Sequence, residues 1–179
     1  MKHTLVALVE NKPGVLNRVA SLFRRRNFNI DSLTVGRTES PEVSRMTIVM
    51  EDDPEKVQNQ LYKLVNVIQV DNVTHAPNVS RDLALIKVQV SAETRGQVIQ
   101  ICDIFRAHIV DTSPETLIVE VTGDEEKITG IVEMLRQFGI LEMVRTGVVT
   151  MVRGEQALSP NGYHEHFASR GNGHSANVL

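Results

Sequence analysis

Residues 4–26 read TLVALVENKPGVLNRVASLFRRR, and this stretch decides the fold. Thr4–Val9 is a short apolar run, the mark of a buried strand. Glu10–Gly14 then interrupts it with turn chemistry. Val15, Leu16, Val19, Leu22 and Phe23 recur at helical spacing and predict a helix over 13–26. Pro13 suits a first helical turn, where its missing N–H is not needed. Arg24, Arg25 and Arg26 fall where the helix dipole favours cations. They read as a solvated helix end in preference to a docking patch. Asn27 is a good left-handed stop.

Working outward, Ile30–Thr38 and Ser44–Met50 read as a second and third strand joined by the loop Glu39-Ser40-Pro41-Glu42. Asp53-Pro54-Glu55 opens a helix carrying Val57, Leu61, Leu64 and Val65, and Val67–Val73 reads as a fourth strand. The order is βαββαβ. From Arg81 it begins again: strand Leu83–Val90, a helix marked by Val98, Ile99, Ile101, Cys102 and Phe105, strands Ile109–Asp111 and Leu117–Val121, a helix opened by Asp124-Glu125-Glu126, and a last strand Ile140–Met151. Phe23-Arg24 and Phe105-Arg106 match at an offset of 82, whereas Asp53, Lys56, Leu64 and Asp71 match Asp124, Lys127, Leu135 and Glu142 at 71. The expected fold is α+β: two ferredoxin-like βαββαβ domains, each an antiparallel sheet with helices on one face. The domains span 1–77 and 78–158, and residues 159–179, which lack apolar periodicity, read as a disordered tail. Units this small have little core to spare, and the uncovered sheet edges favour dimerisation.

The 179 residues are 41% apolar and 23% charged with a net charge of −3, an ordinary soluble balance that points to neither nucleic acid nor a membrane as partner. With 4% aromatics and no Trp, the core must be aliphatic. Cys102 is the single cysteine, so no internal disulfide can form, and a reducing cytoplasmic setting is expected. No signal-peptide layout and no bilayer-length apolar run occur. His3, His75 and His108 share no metal spacing. His164-Glu165-His166 could hold a metal only adventitiously. No phosphate-loop, dinucleotide or nucleophile-elbow motif is present, and no catalytic or metal site is expected.

Chemistry is best placed at the first helix N-terminus, Glu10–Leu16. Free backbone N–H groups and partial positive charge there can hold a carboxylate. Gly14 lets a ligand approach the backbone, and Asn11 and Asn29 offer amide groups from turns read as lying on one edge. Two readings stay open at this point: an amino-acid site, or a loop in which Asn11 caps the helix and Gly14 closes the turn.

The stretch Asn29–Gly36, NIDSLTVG, resembles a signature of acetolactate synthase (acetohydroxyacid synthase) small subunits, as does Ser44–Val49, SRMTIV. Glu10–Leu16, ENKPGVL, looks like the effector loop of the family's ACT domain. The resemblance covers about residues 2–158, including Arg145-Thr146-Gly147-Val148; Asn27 stands where the family often has Gly. It implies an N-terminal ACT domain at 1–77, an ACT-like domain at 78–158, and a homodimer with its effector at the interface of two ACT domains. Asn11, Gly14, Val15, Leu16, Asn29 and Ile30 would line that site. It further implies a non-catalytic chain that activates a separate large subunit, a transferase of branched-chain amino acid biosynthesis, and imposes feedback inhibition by valine or another branched-chain amino acid. Thiamine diphosphate, FAD and magnesium would belong to the large subunit. The alternative is a stand-alone ACT amino-acid sensor acting on another enzyme.

Overall fold

A computed structural model describes residues 1–155, 157 and 158. The tail expectation for 159–179 and His164–His166 lie outside the described residues. The chain divides into two units, Met1–Asn78 together with the described residues from Val152 on, and Val79–Met151.

The first unit runs β1 (His3–Glu10), α1 (Val15–Arg26), β2 (Ile30–Arg37), β3 (Val43–Met50), α2 (Pro54–Leu61) and β4 (Val67–Asn72), with sheet order β2-β3-β1-β4. All pairings are antiparallel. Side chains alternate across a strand, so Leu5, Ala7 and Val9 share one face with their partners Ile48 and Met46 and with Val70. That face packs on Val15, Val19, Leu22 and Phe23 of α1 and Val57 and Leu61 of α2. The apolar spacing along α1 is therefore the imprint of one buried face.

Helix ends follow local chemistry. Asn27 adopts φ 57°, and the Phe28 N–H donates to the Phe23 carbonyl at 3.0 Å, closing α1 with the expected left-handed stop. Phe23 and Phe28 also meet edge-on at 5.8 Å. Asp53 accepts from the Glu55 and Lys56 amides and caps α2. Pro13 is a correction: α1 begins at Val15 with Gly14 as its cap, so Pro13 precedes the first turn.

The second unit runs β5 (Asn78–Gln89), α3 (Arg95–Phe105), β6 (His108–Thr112), β7 (Thr116–Gly123), α4 (Glu125–Arg136), β8 (Ile140–Arg145) and β9 (Val149–Val152). Its order is β6-β7-β5-β8, with β9 also on β5. The core joins Ala84, Ile86 and Val88 to Val98, Ile101, Ile128 and Leu135. The expected single strand Ile140–Met151 is broken. Asp82 is 2% exposed. Its carboxylate accepts from Arg145 Nε at 2.8 Å and from Arg145 Nη2. It also accepts from Thr146 Oγ1 and the Gly147 N–H, each at 3.2 Å. Gly147 takes φ 87° to present that amide, and the strand direction is lost there.

The two units repeat, but not at every expected offset. The sheet irregularity at Leu8/Val9 recurs at Lys87/Val88, 79 residues on. The left-handed stops Asn27 and Arg106 are also 79 apart. Phe23 therefore corresponds to Cys102, not Phe105. The caps Asp53 and Asp124 keep the 71 offset. In the last strand Gln69, opposite Leu8, corresponds to Glu142, opposite Lys87, so the Asp71–Glu142 match was coincidental.

Among the described residues no helix is long and apolar enough to cross a membrane, and no cluster of three or more His, Cys, Asp or Glu could hold a metal.

Candidate effector site

The loop from Glu10 to Leu16 joins the end of β1 to α1, and the sheet holds it from behind. The Asn11 N–H donates to the Glu42 carbonyl at 2.7 Å, and its Nδ2 donates to the Pro41 carbonyl at 2.8 Å. Asn11 thus ties the loop to the β2–β3 turn and does not cap the helix, which removes the capping reading of this residue. Gly14 fills the cap position at φ 82°. A Cβ there would meet nothing within 4 Å, so glycine is demanded by backbone conformation, not by crowding.

No side chain caps α1, and its first turn holds no acidic residue. Asp53 caps α2, and Asp124 accepts from the Lys127 amide at 2.9 Å to cap α4, whereas α3, like α1, has no side-chain cap and no acidic residue in its first turn. A helix N-terminus without a side-chain cap offers backbone N–H groups and partial positive charge to a carboxylate, although in α1 the Val15 N–H already donates to the Lys12 carbonyl at 3.3 Å. Beside it lies a cavity of about 80 Å³ backed by Val9, Val35 and Met46 and bounded by Leu16 and the polar Glu10, Asn11, Lys12 and Ser44. Val15 is 4% exposed and Leu16 47%, so the first belongs to the core and the second to the rim. The cavity is far smaller than the roughly 300 Å³ of a typical ligand pocket.

Glu10 opens the loop that the sequence singled out, but the sequence assigned its side chain no role. It is 6% exposed, accepts from Asn66 Nδ2 at 2.5 Å and meets Lys12 Nζ at 3.2 Å. A charge ending an apolar strand run was the available signal; nothing local pointed to Asn66.

Asn29 and Ile30 are not on the same edge as Asn11 within one chain. Ile30 pairs with Met50, and Met50 pairs with His3, whereas Glu10 pairs with Val43. Seven residues of β1 at about 3.3 Å each separate the two ends by roughly 23 Å. At its own end, Asn29 donates from its backbone to Asp52 Oδ2 at 2.9 Å and from Nδ2 to Asp31 Oδ1 at 3.3 Å. The structure therefore brings together Asn11, Gly14, Val15 and Leu16, and sets Asn29 and Ile30 apart.

Cys102 is buried, and desolvation pushes its thiol up to about 11, which leaves it a core side chain without nucleophilic character at neutral pH.

Tandem βαββαβ units, the first with a glycine-started helix beside a small cavity of mixed polar and apolar lining, fit a protein of the ACT class. The comparisons agree and go further. The model for the ACT domain of acetohydroxyacid synthase small subunits matches residues 5–69, and that for the small subunit of acetolactate synthase matches 81–154. A probable acetolactate synthase small subunit from Archaeoglobus fulgidus is 54% identical over 159 residues, 87% of this chain and 99% of that protein. The acetolactate synthase small subunit of Mycolicibacterium smegmatis is 51% identical over 87% of this chain and 94% of its own length. The crystal structure of the Thermotoga maritima small subunit superposes with a TM-score of 0.81 at 40% identity, over 87% of this chain and 99% of that one. The chain belongs to the acetolactate synthase small subunit family.

Proposed function

We propose that this chain is the regulatory subunit of an acetolactate synthase. It docks on a separate large subunit that carries thiamine diphosphate, FAD and magnesium. It raises that subunit's activity in branched-chain amino acid synthesis and lowers it when valine, or another branched-chain amino acid, occupies its ACT domain. It has no catalytic residues of its own and works in the reducing cytosol. The observation that carries the reading is the N-terminus of α1, without a side-chain cap, beside a small cavity of mixed lining in which Val9, Val35 and Met46 supply an apolar wall, which suits a carboxylate with a short branched side chain. A stand-alone sensor fits less well, because the family matches extend through both domains.

The site is shared between two copies. β2 is an edge strand of the first sheet. Pairing it antiparallel with β2 of a second copy about a two-fold axis brings the Ile30 end of one strand to the Arg37 end of the other. Arg37 pairs with Ser44, beside the Glu10–Asn11 loop. Asn29 and Ile30 of one copy then complete the half-site formed by Asn11, Gly14, Val15 and Leu16 of its partner.

Mixing variants tests this. Gly14→Asp and Asn29→Ala chains alone are expected to assemble with the large subunit, activate it, and respond to valine only at higher concentrations than wild type. Unfolded and refolded together, roughly half the dimers become mixed, and each mixed dimer holds one intact site and one doubly altered site. Wild-type valine affinity should return in part. No recovery would refute the shared site. Wild-type valine sensitivity retained by both single variants would refute the effector assignment.

A further inference from the structure

Behind the effector loop, on the sheet face away from the helices, Leu8, Val43 and Ile68 form a small cluster, and Leu158 packs against it. Leu158 comes from beyond β9, after the chain has passed through the whole second unit. It is not alone in returning. The Arg153 N–H donates to the Pro77 carbonyl at 2.8 Å, and Arg153 Nε donates to the Asn78 carbonyl at 3.0 Å. Asn78 in turn donates from Nδ2 to the carbonyls of Val73 and Ala76, holding the turn that Arg153 grips.

The three residues under Leu158 are neighbours of the loop. Val43 pairs with Glu10 and follows Glu42, whose carbonyl receives the Asn11 amide. Leu8 and Ile68 flank the strand irregularity at Leu8/Val9, beside Asn66, which holds the Glu10 carboxylate. The end of the sheet that presents the loop on one side is thus closed by Leu158 on the other. Packed interiors move between discrete arrangements, so a side chain seated behind a binding loop is energetically linked to that loop.

We propose that Arg153 and Leu158 are the two anchors of a strap that belongs to the effector domain and sets the geometry of the loop from Glu10 to Leu16. This rests on the reading of the loop as the effector site. By reciprocity, whatever strengthens effector binding tightens the strap, and loosening the strap weakens binding.

The test uses the full chain with Leu158→Ala and Arg153→Ala, and two readouts. Hydrogen exchange of the ligand-free protein reports the strap without reference to any effector. Amides of residues 8–16 and 42–44 should exchange at least fivefold faster in Leu158→Ala, while amides of α3 and α4 stay unchanged. Valine titration reports the linkage, with an expected rise in the dissociation constant of about fivefold or more. Unchanged exchange in both variants overturns the strap. Faster exchange with unchanged valine affinity overturns the linkage. If the wild-type chain binds no valine while exchange responds as expected, the strap stands and the effector reading fails. Leu158→Met keeps apolar volume and should behave as wild type in both measurements; if it matches Leu158→Ala, packing at 158 is not the cause.

Discussion

Replacing Gly14 by Asp and by Asn separates charge from shape at the effector loop. Both residues tolerate the left-handed conformation that Gly14 adopts at φ 82°, and both enter open space, since a Cβ there meets nothing within 4 Å. Each should cost the fold about 1 kcal/mol for losing glycine. Their side chains are nearly isosteric, so any difference between them is the charge. In the free protein a carboxylate beside the α1 N-terminus is favourable by about 0.3–1 kcal/mol, which makes Gly14→Asp no less stable than Gly14→Asn. In the complex the same carboxylate opposes that of the effector. Two unit charges 4 Å apart repel by about 1 kcal/mol in water and about 4 kcal/mol at a partly screened surface. Since 1.4 kcal/mol is tenfold in affinity, valine should bind Gly14→Asp at least about fivefold more weakly than Gly14→Asn. The gap should narrow as salt rises. Calorimetric titration with valine at two ionic strengths, beside urea unfolding, measures both quantities. Equal affinities of the two variants would refute the carboxylate-cradle argument, and wild-type affinity in both would remove Gly14 from the site.

Asn29→Ala should cost less than about 0.5 kcal/mol of stability, because its side chain makes one exposed contact of 3.3 Å to Asp31, yet weaken valine by about 0.5–1.5 kcal/mol; unchanged affinity would exclude it from the shared site. Asp82→Ala leaves Arg145, Thr146 Oγ1 and the Gly147 amide without their common acceptor, and should destabilise the second unit by about 3 kcal/mol; a loss under about 1 kcal/mol in urea unfolding would show that β8 is held by its ladder alone. Cys102 binds its proton more tightly folded than unfolded. Its contribution to stability is therefore present below the unfolded pKa of about 8.5 and is lost as pH rises toward about 11. Alkylation at pH 8 should be slow in the native protein and fast in urea, and comparable rates in the two states would contradict the burial.

Much of this was readable in one dimension because the physics is local. A helix with a single buried face must repeat its apolar residues every three to four positions, as α1 does with Val15, Val19, Leu22 and Phe23. Asp53, Asp124 and Asn27 act on amides and carbonyls within a few residues of themselves. The loop Glu10–Leu16 was recognisable for the same reason: its glycine, proline and asparagine carry their conformational demands with them. Repeat offsets were less reliable. Phe105 looks like Phe23, but the core position is filled by Cys102, because burial selects for apolar volume at a place and not for a particular side chain.

What composition, period and local caps determined was the pair of βαββαβ units, their aliphatic cores and the identity of the loop at the head of α1. Only tertiary structure decided which distant residues meet. It turned Asn11 from a helix cap into a tie to Pro41, broke the last strand around Asp82, and separated Asn29 from Asn11 by the length of β1. It also carried Leu158 back onto Leu8, Val43 and Ile68. Strand pairing and buried polar contacts join residues many positions apart, and their partners are chosen by the folded geometry as a whole, which leaves no periodic trace along the chain.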